Sequence, residues 1–113
     1  MTVPTQLTEL SPAAVEKAMR EQSIVLIDVR EPREYAAERI DGALLFPLST
    51  FDPATLPPPG GRQVVFHCGS GKRSAIAAGK CLERGIGHGA HMAGGIQAWK
   101  NVGLPTIVAA PTN

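Results

Sequence analysis

A cysteine begins a glycine-rich, cationic segment, Cys68-Gly69-Ser70-Gly71-Lys72-Arg73, hereafter the cysteine loop. The apolar run before it, residues 63–67, predicts a buried strand, and residues 74–84 predict a helix. A loop joining a strand to a helix directs backbone N–H groups toward the helix N-terminus. There a thiolate is favoured over a thiol, because N–H donors, the helix dipole and nearby cations stabilise negative charge. The loop is therefore a candidate site for nucleophilic sulfur chemistry.

Three other polar residues are candidate supporting residues of this site: Asp28, Arg30 and Ser74. Asp28 and Arg30 lie at the end of a second apolar run, residues 23–29, which predicts another buried strand. Chemistry in parallel sheets gathers at the carboxyl ends of strands, so these residues and Cys68 can converge on one edge. Asp28 and Arg30 could tune the loop or join strand to helix by a salt bridge, and we favour the structural role.

The second thiol, Cys81, lies in the middle of the predicted helix among apolar residues, which favours a core position. His67 precedes the nucleophile on a strand, so its side chain points to the opposite face and favours packing. His88 and His91 have no metal-ligand spacing, and two cysteines thirteen residues apart make a poor zinc site. We expect neither a metal nor a cofactor.

The elements that must position these residues alternate along the chain. Strands are predicted at residues 23–29, 42–46, 63–67 and 89–92, and helices at residues 11–21, 32–38, 74–84 and 95–102. One helical turn is predicted within residues 49–56, before a proline-rich loop. Alternation of this kind predicts an α/β fold, with a parallel sheet covered on both faces.

The composition sets limits on the class of protein. A chain of 113 residues predicts one domain over residues 1–113, with a core at about residues 5–106 and short loose tails. A net charge of +1 with mixed signs argues against nucleic-acid or membrane partners. No apolar stretch approaches the roughly 20 residues that span a bilayer, and the first residues lack signal-peptide features. We expect a cytoplasmic protein with reduced thiols.

Three parts of the sequence, in the right order and covering nearly the whole chain, resemble a rhodanese domain. They are Asp28-Val29-Arg30-Glu31-Pro32-Arg33-Glu34-Tyr35 with Ile40-Asp41-Gly42-Ala43, the cysteine loop with its flanking residues, and Gly94-Gly95-Ile96-Gln97-Ala98-Trp99. The resemblance implies a five-stranded parallel sheet flanked by helices on both faces. It also implies sulfurtransferase activity through a cysteine persulfide. One departure is Glu38-Arg39, where family members often carry Gly-His; we expect that position to support the fold.

The resemblance implies that Cys68 is the nucleophile and that the rest of the loop binds substrate: Gly69, Ser70, Gly71, Lys72 and Arg73. Backbone N–H groups would hold the persulfide, and Arg73 would bind the sulfonate end of thiosulfate in a forked contact. The partners would be a small anionic sulfur donor and an acceptor such as cyanide, a small thiol or a protein thiol.

The type of donor stays open at this point. The start of the loop is similar to mercaptopyruvate sulfurtransferases, whereas Lys72-Arg73 is closer to small thiosulfate-type members. An alternative role is a persulfide carrier with little turnover alone. Related cysteine phosphatases and arsenate reductases use a loop one residue longer, so the six residues from Cys68 to Arg73 argue against them.

Overall fold

The structure, a computed structural model, describes residues 6–110 and contains a five-stranded parallel sheet. Its strands are β1 (Thr8–Leu10), β2 (Ile24–Asp28), β4 (Leu44–Leu45), β5 (Gln63–His67) and β6 (Ala90–Met92). Their order across the sheet is β1-β6-β5-β2-β4. The helices are α1 (Pro12–Arg20), α2 (Pro32–Ala37), α3 (Lys72–Glu83) and α4 (Gly95–Asn101), with single 3₁₀ turns at Leu48–Thr50 and Pro53–Thr55. The predicted α/β fold is confirmed.

Helices cover both faces of the sheet, as expected for a parallel sheet. Successive residues of a strand point to opposite faces, so β2 directs Leu26 to one core and Ile27 to the other. The core on the α1 and α4 side includes Val15, Leu26, Val65, Met92, Ile96 and Trp99. The core on the α3 side includes Ile27, Val64, Phe66, Cys68, Ala77, Ala78 and Cys81. The cysteine loop begins in this second core.

Helix boundaries follow local sequence signals. Ser11 accepts a hydrogen bond from the Ala14 backbone N–H at 3.1 Å and is followed by Pro12, as the predicted start of α1 requires. The α3 helix begins two residues earlier than predicted, because Gly71 adopts a positive φ of 103° and serves as its N-cap. Lys72 and Arg73 therefore belong to the first turn of α3.

Three short strands were missed by the sequence analysis: β1, and the two strands of a small antiparallel ladder, β3 (Glu38–Arg39) and β7 (Ile107–Val108). Glu38 also binds Lys100 Nζ at 2.9 Å and the Thr106 hydroxyl at 2.6 Å, which ties the ladder to α4. The ordered strand β7 lies beyond residue 106, where we expected the core to end. The expected start of the core at residue 5, and the last residues of the C-terminal tail, lie outside the described residues. Within residues 6–110, no helix has the length and apolarity to cross a membrane.

Candidate active site

Cys68 lies directly after β5 and is fully buried near the N-terminal end of α3. The chain folds back over the sulfur because Gly71 takes a left-handed conformation that other residues rarely adopt. This turn directs the Gly71 backbone N–H at Cys68 Sγ, at 3.1 Å. Ser70 is exposed and Gly69 is half-buried, so one side of the loop faces solvent. The loop thus holds a sulfur atom within reach of backbone donors.

The environment of Cys68 favours its thiolate. Burial by itself raises the pKa of the thiol, but hydrogen bonds from Ser74, Gly71 and Ser70 outweigh it and hold the pKa below its ordinary value. Ser74 Oγ lies 3.6 Å from Sγ, within the longer range of sulfur hydrogen bonds. The predicted supporting residue Ser74 is therefore in contact with the sulfur, and the donors that stabilise it are mainly groups of the loop and of α3.

The start of α4 supports the loop from the other side. The Ile96 backbone N–H donates to the Cys68 carbonyl oxygen at 2.8 Å, and the Gln97 N–H donates to the Gly69 carbonyl oxygen at 3.2 Å. Gly95 allows this approach: it has φ +61°, and an added Cβ would lie 2.5 Å from the Gly69 carbonyl oxygen. A glycine at position 95, the first residue of α4, is therefore needed for the position of the cysteine loop.

Arg73 is bound by Glu34 of α2. The two terminal nitrogens of Arg73 lie 2.7 Å and 3.0 Å from the two carboxylate oxygens of Glu34. They form a bidentate ion pair between residues that are 39 positions apart in the sequence. The hydrogen bond from Arg73 lowers the pKa of Glu34 to about 2, and Glu34 in turn raises the pKa of Arg73. Arg73, which we expected to bind a sulfonate in a forked contact, makes that contact with Glu34 in this structure. Lys72 is exposed and takes part in none of the ion pairs found among the described residues.

A polar cavity of about 320 Å³ opens beside the loop at Gly69. Its other lining residues include Arg30, Glu34, Gln97 and Lys100. Small-molecule pockets in proteins commonly have volumes of about 300–1,000 Å³. The cavity has room for a small charged molecule beside the loop.

The rhodanese-like domain model matches residues 11–102 of the chain. The chain belongs to the rhodanese-like domain family. It is 35% identical over 86 residues to a protein of Allochromatium vinosum named sulfurtransferase, a match that covers 76% of this chain and 80% of that protein. It is also 36% identical over 98 residues to an uncharacterised protein of Synechocystis sp., with 87% of this chain covered. The chain spans about half of the length of that relative, since the match covers 55% of it.

The fold agrees with solved rhodanese-like structures. The rhodanese-like domain of an Anabaena protein superposes with a TM-score of 0.77 at 20% identity, over 93% of this chain and 85% of that one. This confirms the five-stranded sheet that the resemblance implied.

Near the loop of this rhodanese-like domain, Asp28 and Arg30 form a buried ion pair with each other rather than a salt bridge from strand to helix. Arg30 Nη2 lies 2.8 Å from Asp28 Oδ2 and also donates to the Glu38 carbonyl oxygen at 2.6 Å. His67 packs beside them, with Nε2 3.4 Å from Asp28 Oδ2, and burial lowers the pKa of its ring. This cluster joins the ends of β2 and β5 to β3. It supports the loop from beneath, and the described contacts give it no hydrogen bond to the sulfur.

Cys81 is a core thiol, as expected. It is fully buried in the α3-side core, and burial raises its pKa to about 11. The sequence analysis missed two residues near the site. Glu34 lies in the rhodanese-like segment without a predicted role. His91 was considered only as a metal ligand, although its Nδ1 lies 3.0 Å from Ser74 Oγ. Within residues 6–110, no cluster of three or more His, Cys, Asp or Glu side chains could hold a metal ion.

Proposed function

We propose that this domain transfers sulfane sulfur through a persulfide on Cys68, with thiosulfate or a similar anion as donor. The observation that carries the proposal is the sulfur of Cys68 itself, which has a lowered pKa and lies 3.1 Å from the Gly71 N–H. A thiolate, and not a thiol, is the nucleophile in such chemistry. Family membership and the relative named sulfurtransferase support sulfur transfer as the general reaction.

In the first step the Cys68 thiolate attacks the outer sulfur of thiosulfate. A new sulfur–sulfur bond forms, the bond between the two donor sulfurs breaks, and its electron pair leaves with sulfite. The negative charge remains on the outer sulfur of the persulfide, where N–H groups of the loop can stabilise it. In the second step a thiophilic acceptor such as cyanide or a thiolate bonds to that sulfur, and Cys68 leaves as a thiolate.

Binding of an anionic donor would use the exposed side of the loop. Lys72 offers a cation that is free to meet the donor, while Arg73 would have to exchange Glu34 for a sulfonate. The cavity at Gly69 gives the donor room beside the cysteine loop. We therefore propose Lys72 as the main attracting charge and Arg73 as a second site whose use depends on Glu34.

Steady-state kinetics with thiosulfate and cyanide test the proposal. We expect thiocyanate to form with parallel double-reciprocal lines, because the persulfide separates the two half-reactions. Cys68→Ser, a matched change of the reacting atom, should abolish the reaction while circular dichroism stays unchanged. Thiocyanate formation by Cys68→Ser at the wild-type rate would refute the role of Cys68.

A second candidate function is that of a persulfide carrier that turns over slowly alone. It is favoured by the ion pair of Arg73 with Glu34, which would slow the binding of small anionic donors. A carrier would show slow thiocyanate formation but fast transfer from the preformed persulfide to a protein thiol. Either role requires a reduced Cys68, so we propose that the protein works in a reducing compartment such as the cytoplasm.

A further inference from the structure

A chain of polar side chains leads from Cys68 to the surface on the α3 side of the sheet. Cys68 Sγ lies 3.6 Å from Ser74 Oγ, and that oxygen lies 3.0 Å from Nδ1 of His91. On the other side of the ring, Nε2 lies 3.6 Å from a carboxylate oxygen of Glu9. Ser74 is fully buried and His91 is 4% exposed, whereas the Glu9 side chain is 65% exposed. The reacting sulfur is thereby connected to solvent.

The sheet register creates this arrangement. His91 of β6 is paired with Glu9 of β1 on one side and with Phe66 of β5 on the other. Paired residues of neighbouring strands point to the same face, and Phe66 packs in the core beneath α3. The ring of His91 therefore lies under the first turn of α3, where Ser74 points inward.

We propose that His91 accepts the proton of the Cys68 thiol through Ser74, and that Glu9 stabilises the imidazolium so formed. The S–H bond of Cys68 breaks as its proton passes to Ser74 Oγ. The original hydroxyl proton of Ser74 passes to Nδ1 of the neutral ring. The products are a thiolate, an intact hydroxyl group and an imidazolium, and no oxidant or reductant is involved. The proposal deepens the proposed function, since it rests on Cys68 being the reacting thiol.

The hydrogen-bond directions fit this proton transfer. A hydroxyl group has one proton, and the Gly71 carbonyl oxygen, at 3.2 Å from Ser74 Oγ, competes for it. Once Nδ1 of His91 is protonated it donates to Ser74 Oγ, which leaves the hydroxyl free to donate to the thiolate. Both the thiolate and the persulfide carry one negative charge, so the proton can remain on His91 throughout turnover. His91 acts through Ser74 and is a positioning residue.

The groups that face His91 come from three elements. β1 contributes the Glu9 carboxylate, and β5 contributes Phe66, which does not titrate. α3 contributes Ser74, whose hydroxyl oxygen lies 3.0 Å from Nδ1 of the ring. Among the described contacts, the ionisable partners of the ring are Glu9 and, through Ser74, Cys68. A substitution of Cys68 should therefore change the charge of the His91 ring.

Nitrogen NMR shifts of the His91 ring, measured near neutral pH in wild type and in Cys68→Ser, test the proposal directly. We expect an imidazolium in wild type and a neutral ring in Cys68→Ser, which has no comparably acidic proton to give. A neutral ring in wild type would overturn the proposal. An imidazolium in both proteins would also overturn it, because the charge of His91 would then be independent of Cys68.

Titration of the thiolate ultraviolet absorbance provides a second test. Asparagine at position 91 can keep a hydrogen bond to Ser74 but cannot hold a proton. We expect His91→Asn to raise the apparent pKa of Cys68 by about one unit, and Glu9→Gln to raise it by less. His88→Asn is the matched control and should leave it unchanged, because the described contacts do not connect His88 to the loop. An unchanged Cys68 titration in His91→Asn would overturn the proposal.

Neither measurement uses a sulfur donor. A protein that fails to form thiocyanate but shows the coupled ionisation of Cys68 and His91 would refute the proposed sulfur transfer and keep the proton path. A protein that transfers sulfur while His91 stays neutral would support the proposed sulfur transfer and refute the proton path.

Discussion

Arg73 and Glu34 form a bidentate ion pair that joins the first turn of α3 to α2 across the cysteine loop. Both side chains are about one-third exposed, with 35% and 34% of their surface accessible. The pair therefore fixes the geometry of the loop, and it also places a carboxylate where an anionic sulfur donor is expected to approach. These two effects can be separated by mutation.

Glu34→Gln should lower the KM for thiosulfate by about three- to tenfold, equivalent to about 1 kcal/mol of repulsion and competition for Arg73 removed. The change takes away a negative charge and frees the guanidinium to bind a sulfonate. Lys72→Ala, which removes the exposed cation, should raise KM in the same assay. A KM that rises in Glu34→Gln would show that the ion pair serves the donor by holding Arg73 in place.

Acid should weaken this ion pair in a defined range of pH. Glu34 has a folded-state pKa of about 2 against an ordinary value of 4.5, so its contribution to stability is fully present above pH 4.5. That contribution is lost as the pH falls from 4.5 through 2. Urea unfolding of wild type should lose about 1 kcal/mol more than Glu34→Gln over this range, since the pair is partly screened by solvent. Parallel pH profiles for the two proteins would contradict this.

Gly95→Ala should displace the cysteine loop. The added methyl group would collide with the backbone of Cys68 and Gly69 at a positive φ, and we expect a loss of about 2–3 kcal/mol in the free energy of unfolding with a large fall in kcat. Gly79→Ala in α3 is the control, because nothing lies within 4 Å of its added Cβ. It should stabilise the protein by about 0.5–1 kcal/mol and keep kcat. Equal effects of the two variants would show that α4 does not support the loop.

Cys81→Ala should keep sulfur transfer within about twofold of wild type. Its thiol is buried and has a pKa raised to about 11, so little thiolate forms at neutral pH. Some stability should be lost, about 1 kcal/mol, because a small cavity forms in the core beneath α3. Loss of turnover at unchanged stability would mean that Cys81 takes part in the chemistry.

Local sequence signals predicted most helices and strands of the fold. The strands that they missed form through pairing with segments distant in the sequence. The strand at residues 63–67 has three consecutive apolar residues at its centre, and its predicted bounds agree with those of β5. By contrast, β1 has three residues and is largely exposed, so it has no apolar pattern and exists through its pairing with β6. The sequence had only implied a fifth strand through the family resemblance.

The candidate site was also only partly predictable from local sequence signals. The position of Cys68 at the end of a strand and before a helix could be predicted, because strand, glycine-rich loop and helix are adjacent in sequence. The contacts of Arg73 with Glu34 and of Ser74 with His91 could not, since they join residues 39 and 17 positions apart. Such contacts depend on strand order and helix packing. Strand order and helix packing also place His91, which no sequence pattern singles out, next to the reacting site.

Intact mass spectrometry after brief incubation with thiosulfate tests the central claim most directly. Wild type should gain the mass of one sulfur atom and lose it again when cyanide is added, with thiocyanate released in equal amount. Cys68→Ala should gain no sulfur, and Cys81→Ala should behave as wild type. A sulfur adduct on Cys68→Ala, or a wild-type adduct that cyanide does not remove, would contradict sulfur transfer through a Cys68 persulfide.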